Sequence, residues 1–417
     1  MDGIMQMIRK ECDNKDKVES VPLWSITVWD KRFKGVDAKK QKRVITYPYL
    51  LADDLFALQQ EQGNVFLLST GEKTGWTTES LAGSNLCNGE VVTIPWGKSR
   101  PVSEVMKYYK GKFVTADNRI VTSSDVSRLR NKYLYYWMLK QGKIIDGFYR
   151  GDGIKHPSMK LVLDMQVPVP PINIQDEIIR ILDHYTKVNR QLLSSLKEEL
   201  RIRQQQFAFY QKSLFDLKDY PCLRIGEFAD CYAGATPSTK KASYWNKGVI
   251  PWMSSGEVNL GEVFKTEKSI SQEGYNHSST KLLPVNTVVI ALAGQGKTRG
   301  TVAITRIPLC TNQSLCGIIP DERVNSEYLL YYLKSQYKKL RDISSGSGFR
   351  GGLNLKLIKT VEIPVPPVEL QIQIAKIAAS YSKAFSEICK TIIQEIDLRE
   401  IQYTFYRDRL FSLLDND

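Results

Sequence analysis

The sequence is poor in the groups from which most catalytic sites are built. Of its 417 residues only three are histidine (His156, His184 and His277), far apart along the chain. That argues against a zinc centre or a histidine-based triad. Seven cysteines are scattered with no Cys-x-x-Cys pair. An odd, unpatterned set fits a reducing compartment, and Cys310 and Cys316, which flank "TNQSL", read as buried small apolar residues rather than ligands. No apolar run approaches the roughly 18 residues needed to span a bilayer. The opening segment "MDGIMQMIRKECDNKDK" lacks the apolar core of a signal peptide. Together these absences point to a cytoplasmic protein with no membrane span.

Catalytic motifs are missing as well. Methyl transfer to DNA amino groups needs a cofactor-binding glycine loop and an Asn/Asp-Pro-Pro-aromatic motif. Here the Pro-Pro pairs follow Val169 and Val365 and precede Ile172 and Val368, so they read as helix starters. There is no paired-carboxylate-plus-lysine nuclease pattern and no helicase motor, and "PDERVNSE" from Pro320 reads as a helix start rather than a metal site. The nearest approach to a catalytic signature is "VVIALAGQGKTRG", residues 288–300. A phosphate-cradling loop needs Gly, four residues, then Gly-Lys-Ser/Thr, and it must open a helix. Gly296-Lys297-Thr298 is present, but Ala291 occupies the leading glycine position, and "TVAI" after Gly300 reads as a second strand. A hairpin with a cationic tip is therefore expected, with a P-loop-like ATP-binding protein as the alternative. The chain is expected to be non-catalytic, with no metal and no cofactor of its own.

What the sequence does hold is positive charge and a repeat. Net charge is +13 at an apolar content of 42%, and the pI is about 9.2, so anionic partners are favoured: nucleic acid or a membrane surface. "VPVPPINIQDEIIRILDHY" from Val167 matches "IPVPPVELQIQIAKIAASY" from Ile363 at a fixed offset of 196 residues, and the register persists to Phe209-Tyr210 and Phe405-Tyr406. Each copy begins with a proline stop and continues as an apolar seam with a three- or four-residue step. The seam is read as Ile178, Ile181, Tyr185, Leu192 and Leu196 in the first copy, and Ile374, Ile377, Tyr381, Ile388 and Ile392 in the second. About 40 residues at about 1.5 Å each predict a rod of about 60 Å, and two copies of equal length suggest a coiled-coil-like pair.

The chain thus divides into a domain over 1–165, a helix over 166–217, a domain over 218–360 and a helix over 361–417. The domains read as mixed α/β (α+β) with much loop, and they repeat weakly: "YLYYWMLK" from Tyr133 resembles "YLLYYLKS" from Tyr328. Candidate DNA contacts lie in their glycine- and hydroxyl-rich basic loops. In the first domain these are Lys73, Lys98, Arg100, Arg119, Arg150 and Lys155. In the second they are Ser238, Lys240, Lys241, Ser254, Lys297, Arg299 and Arg350. Lysine and arginine neutralise phosphates, while Arg and Ser on loops can also reach base edges. For any one of them the competing reading is an ordinary solvated side chain. For the chain as a whole, a coiled-coil adaptor without enzymatic activity competes with a DNA reader.

Across essentially its whole length the sequence resembles the specificity (S) subunits of type I restriction-modification systems. The likeness rests on "GATPSTKKASYW" and "GVIPWMSSGEV", on the "NQS" at 312–314, on "GSGFRGGLNLKLIKTVEIPVPP", and on the two "PVPP…Q" helices. The first domain departs from it, with "WSITVWDKRFKGVDAKKQKR" where a Gly-x-Thr-Pro-Ser head would stand. The resemblance implies two target recognition domains related by a pseudo-twofold repeat, each reading half of a bipartite site in double-stranded DNA. Two long antiparallel helices would separate them. It also implies two methyltransferase (M) subunits carrying S-adenosylmethionine, which methylate adenine at N6. Up to two restriction (R) subunits that use ATP and Mg would complete the complex. The loop at Gly294–Gly300 would then lie at or near DNA.

Overall fold

The computed structural model describes residues 18–97, 100–152, 154–294, 298–344 and 352–414. Four helices organise it: α1 (Asn131–Lys140), α2 (Ile172–Leu214), α3 (Ser326–Ser335) and α4 (Val368–Ser412). The long helices α2 and α4 start where the prolines predict. The carbonyl of Pro171 accepts from Ile174 and Gln175, and that of Pro367 accepts from Leu370 and Gln371, closing the first turn in each copy. Among the described residues no helix is long and apolar enough to cross a membrane.

The chain forms two compact units that do not follow the linear order of the sequence. One comprises residues 1–195 and 395–417, the other residues 196–394. Each unit therefore contains one domain, one half of α2 and one half of α4.

In the first unit, strand β1 (Glu19–Pro22) is followed by β2 (Thr27–Trp29), β3 (Tyr49–Leu50), β4 (Val65–Leu68), β5 (Gly75–Thr77), β6 (Cys87–Pro95), β7 (Lys107–Ala116) and β8 (Asn118–Ser123). A seven-stranded sheet runs β2-β8-β6-β7-β4-β5, with β3 added in parallel on β7. Then come the short hairpin β9 (Tyr149–Arg150) and β10 (His156–Pro157), and β11 (Gln166–Val169), which pairs antiparallel with β1. Helix α1 buries Tyr133, Leu134, Trp137 and Met138 against this unit's core, which also takes in Ile174, Ile178 and Ile181 of α2 and Leu410 and Phe411 of α4.

The second unit begins with β12 (Cys222–Arg224), β13 (Ala229–Ala233), β14 (Ile250–Met253), β15 (Glu262–Val263), β16 (Lys268–Ile270), β17 (Val288–Ala291), β18 (Val302–Thr305), β19 (Cys310–Thr311), β20 (Leu315–Pro320) and β21 (Glu362–Pro364). Here a five-stranded sheet, β13-β20-β17-β18-β15, lies with a three-stranded one, β16-β14-β19. β12 pairs with β21 just as β1 pairs with β11. Strands β17 and β18 are antiparallel, with Val288 opposite Ile304. A strand, not a helix, therefore follows Gly300, and the phosphate-loop alternative lacks the helix N-terminus it requires. Cys310 and Cys316 are buried, and burial pushes the Cys310 thiol up to about 11.

Both units use the same joint between domain and helix. The Gln175 side chain is fully buried: its Oε1 accepts from the Arg130 amide at 2.9 Å, and its Nε2 donates to the carbonyls of Arg128 and Pro170, both at 2.8 Å. Gln371 repeats this with the Asn325 amide at 2.8 Å and the carbonyls of Arg323 at 2.9 Å and Pro366 at 2.7 Å. Tyr133 donates to Pro168 at 2.8 Å, and Tyr328 to Pro364 at 2.7 Å. Tyr133 packs on Phe411 with ring centroids 5.4 Å apart, and Tyr328 on Phe215 at 6.0 Å. "Q" in the "PVPP…Q" signature is thus a structural joint.

The helices pair antiparallel within each unit. In the first, Tyr185 meets Tyr406 at 5.6 Å and Thr186 Oγ1 lies 2.8 Å from the Tyr403 hydroxyl. In the second, Phe207 stacks on both Tyr381 and Phe385, at 5.4 and 4.2 Å, and Tyr210 meets Tyr381 at 5.5 Å. Ile178, Ile181, Ile374 and Ile392 are buried as expected, and Tyr185, Leu192, Leu196 and Tyr381 are half-buried. Two seam positions need correcting: Ile377 is 55% exposed and Ile388 41% exposed. The buried line instead steps from Ile374 by four to Ala378, by three to Tyr381 and by four to Phe385. The apolar pattern of α4 is wider than one seam, and Ala378, the less conspicuous residue, takes the inner place because a methyl group lets the helices approach closely.

Replacing Gln371 with Ala should orphan three buried backbone groups at once. We expect a loss of about 3 kcal/mol, measured by urea denaturation, and a loss of similar size for Gln175→Ala. A change below about 0.5 kcal/mol, the scale of an ordinary surface substitution, would show that the joint is dispensable.

Candidate nucleic-acid interface

The expected DNA contacts sort into three groups. Lys98, Lys297 and Arg350 lie outside the described residues. Lys73, Arg150, Lys155, Ser238, Lys240 and Lys241 are exposed on loops or short strands. The remaining four, Arg100, Arg119, Ser254 and Arg299, are wholly or partly engaged within the protein.

In the first unit, Lys73 sits in the loop after β4 with its ammonium 4.3 Å from the Phe56 ring centroid. That loop is held from beneath by Lys107 at the start of β7. Its amine donates to the carbonyls of Ser69 at 2.9 Å and Val105 at 3.3 Å, and also to that of Gly71. Burial lowers the Lys107 amine to about 8, against a smaller opposing pull from Glu72. Arg100 is half exposed but ion-paired with Glu72, with Glu104 3.9 Å away.

Arg119 has a different role from the one expected. It is only 5% exposed. Its guanidinium lies 3.7 Å from the Trp96 ring centroid, donates to Asp117 at 2.8 Å and sits 5.8 Å from the Phe33 ring. Asp117 also accepts from Lys31 at 2.9 Å, and Lys31 lies 3.4 Å from the buried Asp30. Burial raises the Asp30 carboxyl despite Lys31. Burial also works against Asp117, but hydrogen bonds from Lys31 and Arg119 hold its carboxyl below the usual range. Arg119 is therefore an internal cation within a charge network, not a free phosphate contact. A loop reading of "DNR" cannot anticipate that β8 starts at Asn118 and carries the next side chain inward.

Trp96 carries that network outward. Its ring stacks on His156 at 4.4 Å, and His156 Nδ1 lies 3.0 Å from the Trp96 carbonyl oxygen. Tyr149 donates to Pro95 at 2.5 Å. The hairpin bearing Arg150 and Lys155 is thereby fastened to the end of β6, where the segment leading to Arg100 begins.

In the second unit, Gly234 passes so close to the "TNQS" segment that a Cβ there would lie 2.2 Å from the Thr311 carbonyl oxygen. Only glycine fits, which explains the head of "GATPSTKK". Trp252 Nε1 donates to Ala235 at 3.0 Å and Trp245 Nε1 to Ser238 at 3.2 Å, and the two indoles meet edge to face at 5.0 Å. They line a shallow cleft of about 560 Å³ with Thr236, Thr239, Lys268 and Ser269. Lys240 is exposed beside it, and Lys241 donates to the Tyr244 hydroxyl at 3.0 Å. Ser254 caps a short 3₁₀ turn over Ser255–Leu260: its amide and hydroxyl donate to the buried carboxylate of Glu257 at 2.6 and 2.8 Å. The proton of that hydroxyl, expected as a DNA contact, is given to Glu257 within the fold. Arg299 is half-buried in the turn before β18.

Among the described residues no group of three or more His, Cys, Asp or Glu could hold a metal ion. The arrangement offers recognition chemistry: cations, hydroxyls and indoles on loops fastened to rigid sheets. Sequence reasoning missed Lys107, Trp96 and His156. Their signal is weak, because a lysine inside a strand and an aromatic before a glycine are common on any surface.

Comparison with known proteins adds to this geometry. The family model described as the type I restriction modification DNA specificity domain matches twice, over residues 39–201 and 218–398. The EcoR124I/EcoR124II specificity subunit of Escherichia coli is 29% identical over 98% of this chain and 97% of its own length. The MjaIX specificity subunit of Methanocaldococcus jannaschii is 33% identical over 43% of each chain. Among solved structures, a chain from work on complex assembly and conformational transition of the type I R-M system aligns with TM-score 0.67 at 14% identity, covering 94% of this chain and 97% of that one. The HsdS subunit of Thermoanaerobacter tengcongensis aligns with TM-score 0.50 at 14% identity, covering 95% and 96%. At that identity the likeness is one of fold.

The shifted Lys107 amine carries a prediction of definite sign. Its value in the folded protein lies below that of a free lysine. Between about 8 and the ordinary value of about 10.4, the unfolded chain therefore binds more protons, and this group's contribution to stability rises with pH. The difference in unfolding free energy between the wild type and Lys107→Met should climb between pH 8 and 10. A flat difference would mean that the amine is not desolvated.

Proposed function

The chain belongs to the type I restriction-modification DNA specificity family, and from that premise we propose that it is the sequence-reading, non-catalytic subunit of such a complex. One observation carries the reading. The same glutamine-and-proline joint occurs twice, each time under a domain with a different sheet and different loops. Duplicating a mount while diversifying what it carries is what a reader of a bipartite DNA site requires.

On this reading residues 1–165 and 218–360 are the two recognition domains, each addressing one half-site in double-stranded DNA. Residues 166–217 and 361–417 form the conserved helices. Phosphate contacts come from the exposed cations Lys73, Arg150, Lys155, Lys240 and Lys241, with Ser238 near the bases. S-adenosylmethionine, ATP and Mg act on partner subunits in the cytoplasm. The assembled complex would methylate adenine at N6 and cleave DNA with ATP.

A repeated surface supports a pair of methyltransferase subunits. Ile202 and Phe209 on α2 are 49% and 66% exposed, and their repeat equivalents on α4, Leu398 and Phe405, are 59% and 54% exposed. Residues seven apart share a helix face. Two equivalent apolar stripes suit two copies of one partner. Restriction subunits would join that assembly.

Exchanging residues 218–360 for the equivalent domain of a relative should change one half-site and leave the other intact, as read by sequencing the methylated sites of cells that also carry the methyltransferase. If both halves change together, the two-reader scheme is wrong. Lys240→Ala and Lys241→Ala should each flatten the salt dependence of DNA binding by about one unit of slope. Phe209→Asp and Phe405→Asp should each remove one methyltransferase from the assembled mass. A variant that still carries two would remove the stripe from the interface.

A further inference from the structure

The internal repeat provides a control for every position on the long helices, and one comparison is unequal. In the first unit, the face of α2 that meets α1 carries two carboxylates. Asp176 accepts two hydrogen bonds from Arg130, both at 2.9 Å, and Asp183 accepts from Lys132 and from the Tyr136 hydroxyl, both at 2.7 Å. These links cross-brace α1 to α2.

In the second unit the equivalents of Asp176 and Asp183 are Ile372 and Ala379. Arg130 and Lys132 are replaced by Asn325 and Glu327, and Glu327 turns aside to pair with Arg306 at 2.6 Å, which also holds Glu262. No cross-brace forms at these positions, and a cleft of about 790 Å³ opens between α3 and α4. Its floor on α4 is Ala375, Ala379, Ser382 and Ser386, and its cations are Arg306, Lys334, Lys376 and Lys383. Glu262 and Glu327 share Arg306, so counting all six charged linings the cleft has a net charge of +2. Burial lowers the Lys334 amine from its ordinary value, with Glu262 and Glu327 pulling the other way. From Ile372 to Ser386 the floor runs about 20 Å at 1.5 Å per residue, long enough for four turns of a docked helix.

We propose that this cleft, which the first repeat closes with its own Asp176 and Asp183, receives an acidic amphipathic helix of one methyltransferase subunit, whose carboxylates meet Lys334, Lys376 and Lys383. Charge complementarity selects an acidic segment, and the small side chains of the floor allow a helix to approach closely. The cleft lies on the same stretch of helix pair as the exposed Phe209, because Phe207, two residues earlier, stacks on Tyr381 and Phe385 beside the floor. In the first unit the counterpart is already closed by the chain's own carboxylates. The two methyltransferase subunits are therefore held unequally: one has an extra, salt-sensitive contact that the other lacks. This rests on the reading of the chain as a specificity subunit.

The test uses the full chain, the purified methyltransferase subunit of the same system, and native mass spectrometry with titration calorimetry. Wild-type chain should bind two methyltransferases in distinguishable steps, the tighter one weakening more steeply with salt. Lys376→Glu with Lys383→Glu, both at exposed positions, should weaken one step by about tenfold or more and leave the other unchanged. Ala379→Asp, which restores the carboxylate of the first repeat, should act on the same step. The mirror variant Arg180→Glu with Lys187→Glu should leave both steps within about twofold, as expected for exposed charges away from a binding partner. Two binding events that are both unaffected by the cleft variants, or equally weakened, overturn the proposal while leaving the function intact. Self-association of the chain that is lost on charge reversal would assign the cleft to a second copy and overturn it too. No methyltransferase binding by wild type would instead overturn the function from which the proposal starts.

Discussion

A buried glutamine amide holds each half of this protein in its working geometry. Gln175 and Gln371 each spend one oxygen and both amide protons on three backbone groups from two segments that would otherwise be independent. An apolar residue could fill the same volume, but it would leave an amide and two carbonyls orphaned in a dry site. The bonds act on direction as much as on stability. The Arg130 and Asn325 amides sit at the N-termini of α1 and α3, so the amide fixes where each domain's own helix starts relative to the long helix. The proline pair cooperates by supplying a free carbonyl at the one place where a helix has not yet claimed it.

With the joint fixed, the domain above it is free to change. One domain is a single seven-stranded sheet, the other a five-stranded and a three-stranded sheet. Yet both return to an antiparallel strand pair beside the prolines, β1 with β11 and β12 with β21. The strand pair, the tyrosine hydroxyl on a proline carbonyl and the amide make a mount that does not depend on what it carries. A difference between repeats on the mount itself is therefore more informative than a difference in the loops. The replacement of Asp183 by Ala379 is of that kind.

The parts legible in the sequence were those governed by local rules. Prolines forced the helix starts, the fixed offset exposed the repeat, and the β-branched residues after Gly300 identified a strand. Positions decided by tertiary geometry were not legible. Ile377 and Ile388 are as apolar as their buried neighbours, but the line of contact passes through Ala378, and composition cannot choose between adjacent faces of one helix. Nor could the sequence reveal that each compact unit takes the opposite end of each long helix, because that depends on antiparallel pairing rather than on chain order. Among the candidate contacts, residue type was legible but commitment was not. Arg119 has the right chemistry for DNA, yet it is buried against Asp117 and Trp96.

That distinction changes what the positive charge can do. A net charge of +13 suggests strong attraction for a polyanion, but only cations that exchange a water shell for phosphate release counterions. Arg119, Lys31, Arg100 and Arg306 already face carboxylates within the fold. Their contribution is to stiffen the places where loops leave the sheet. Arg119 shows how: paired to Asp117 on one side and packed on Trp96 on the other, it ties the interior of the first domain to the hairpin bearing Arg150 and Lys155. Removing it would disturb the position of two exposed cations without itself removing a phosphate contact. On the function proposed above, affinity for DNA would rest on the exposed cations, and buried ones such as Arg119 would act by fixing where the exposed ones stand.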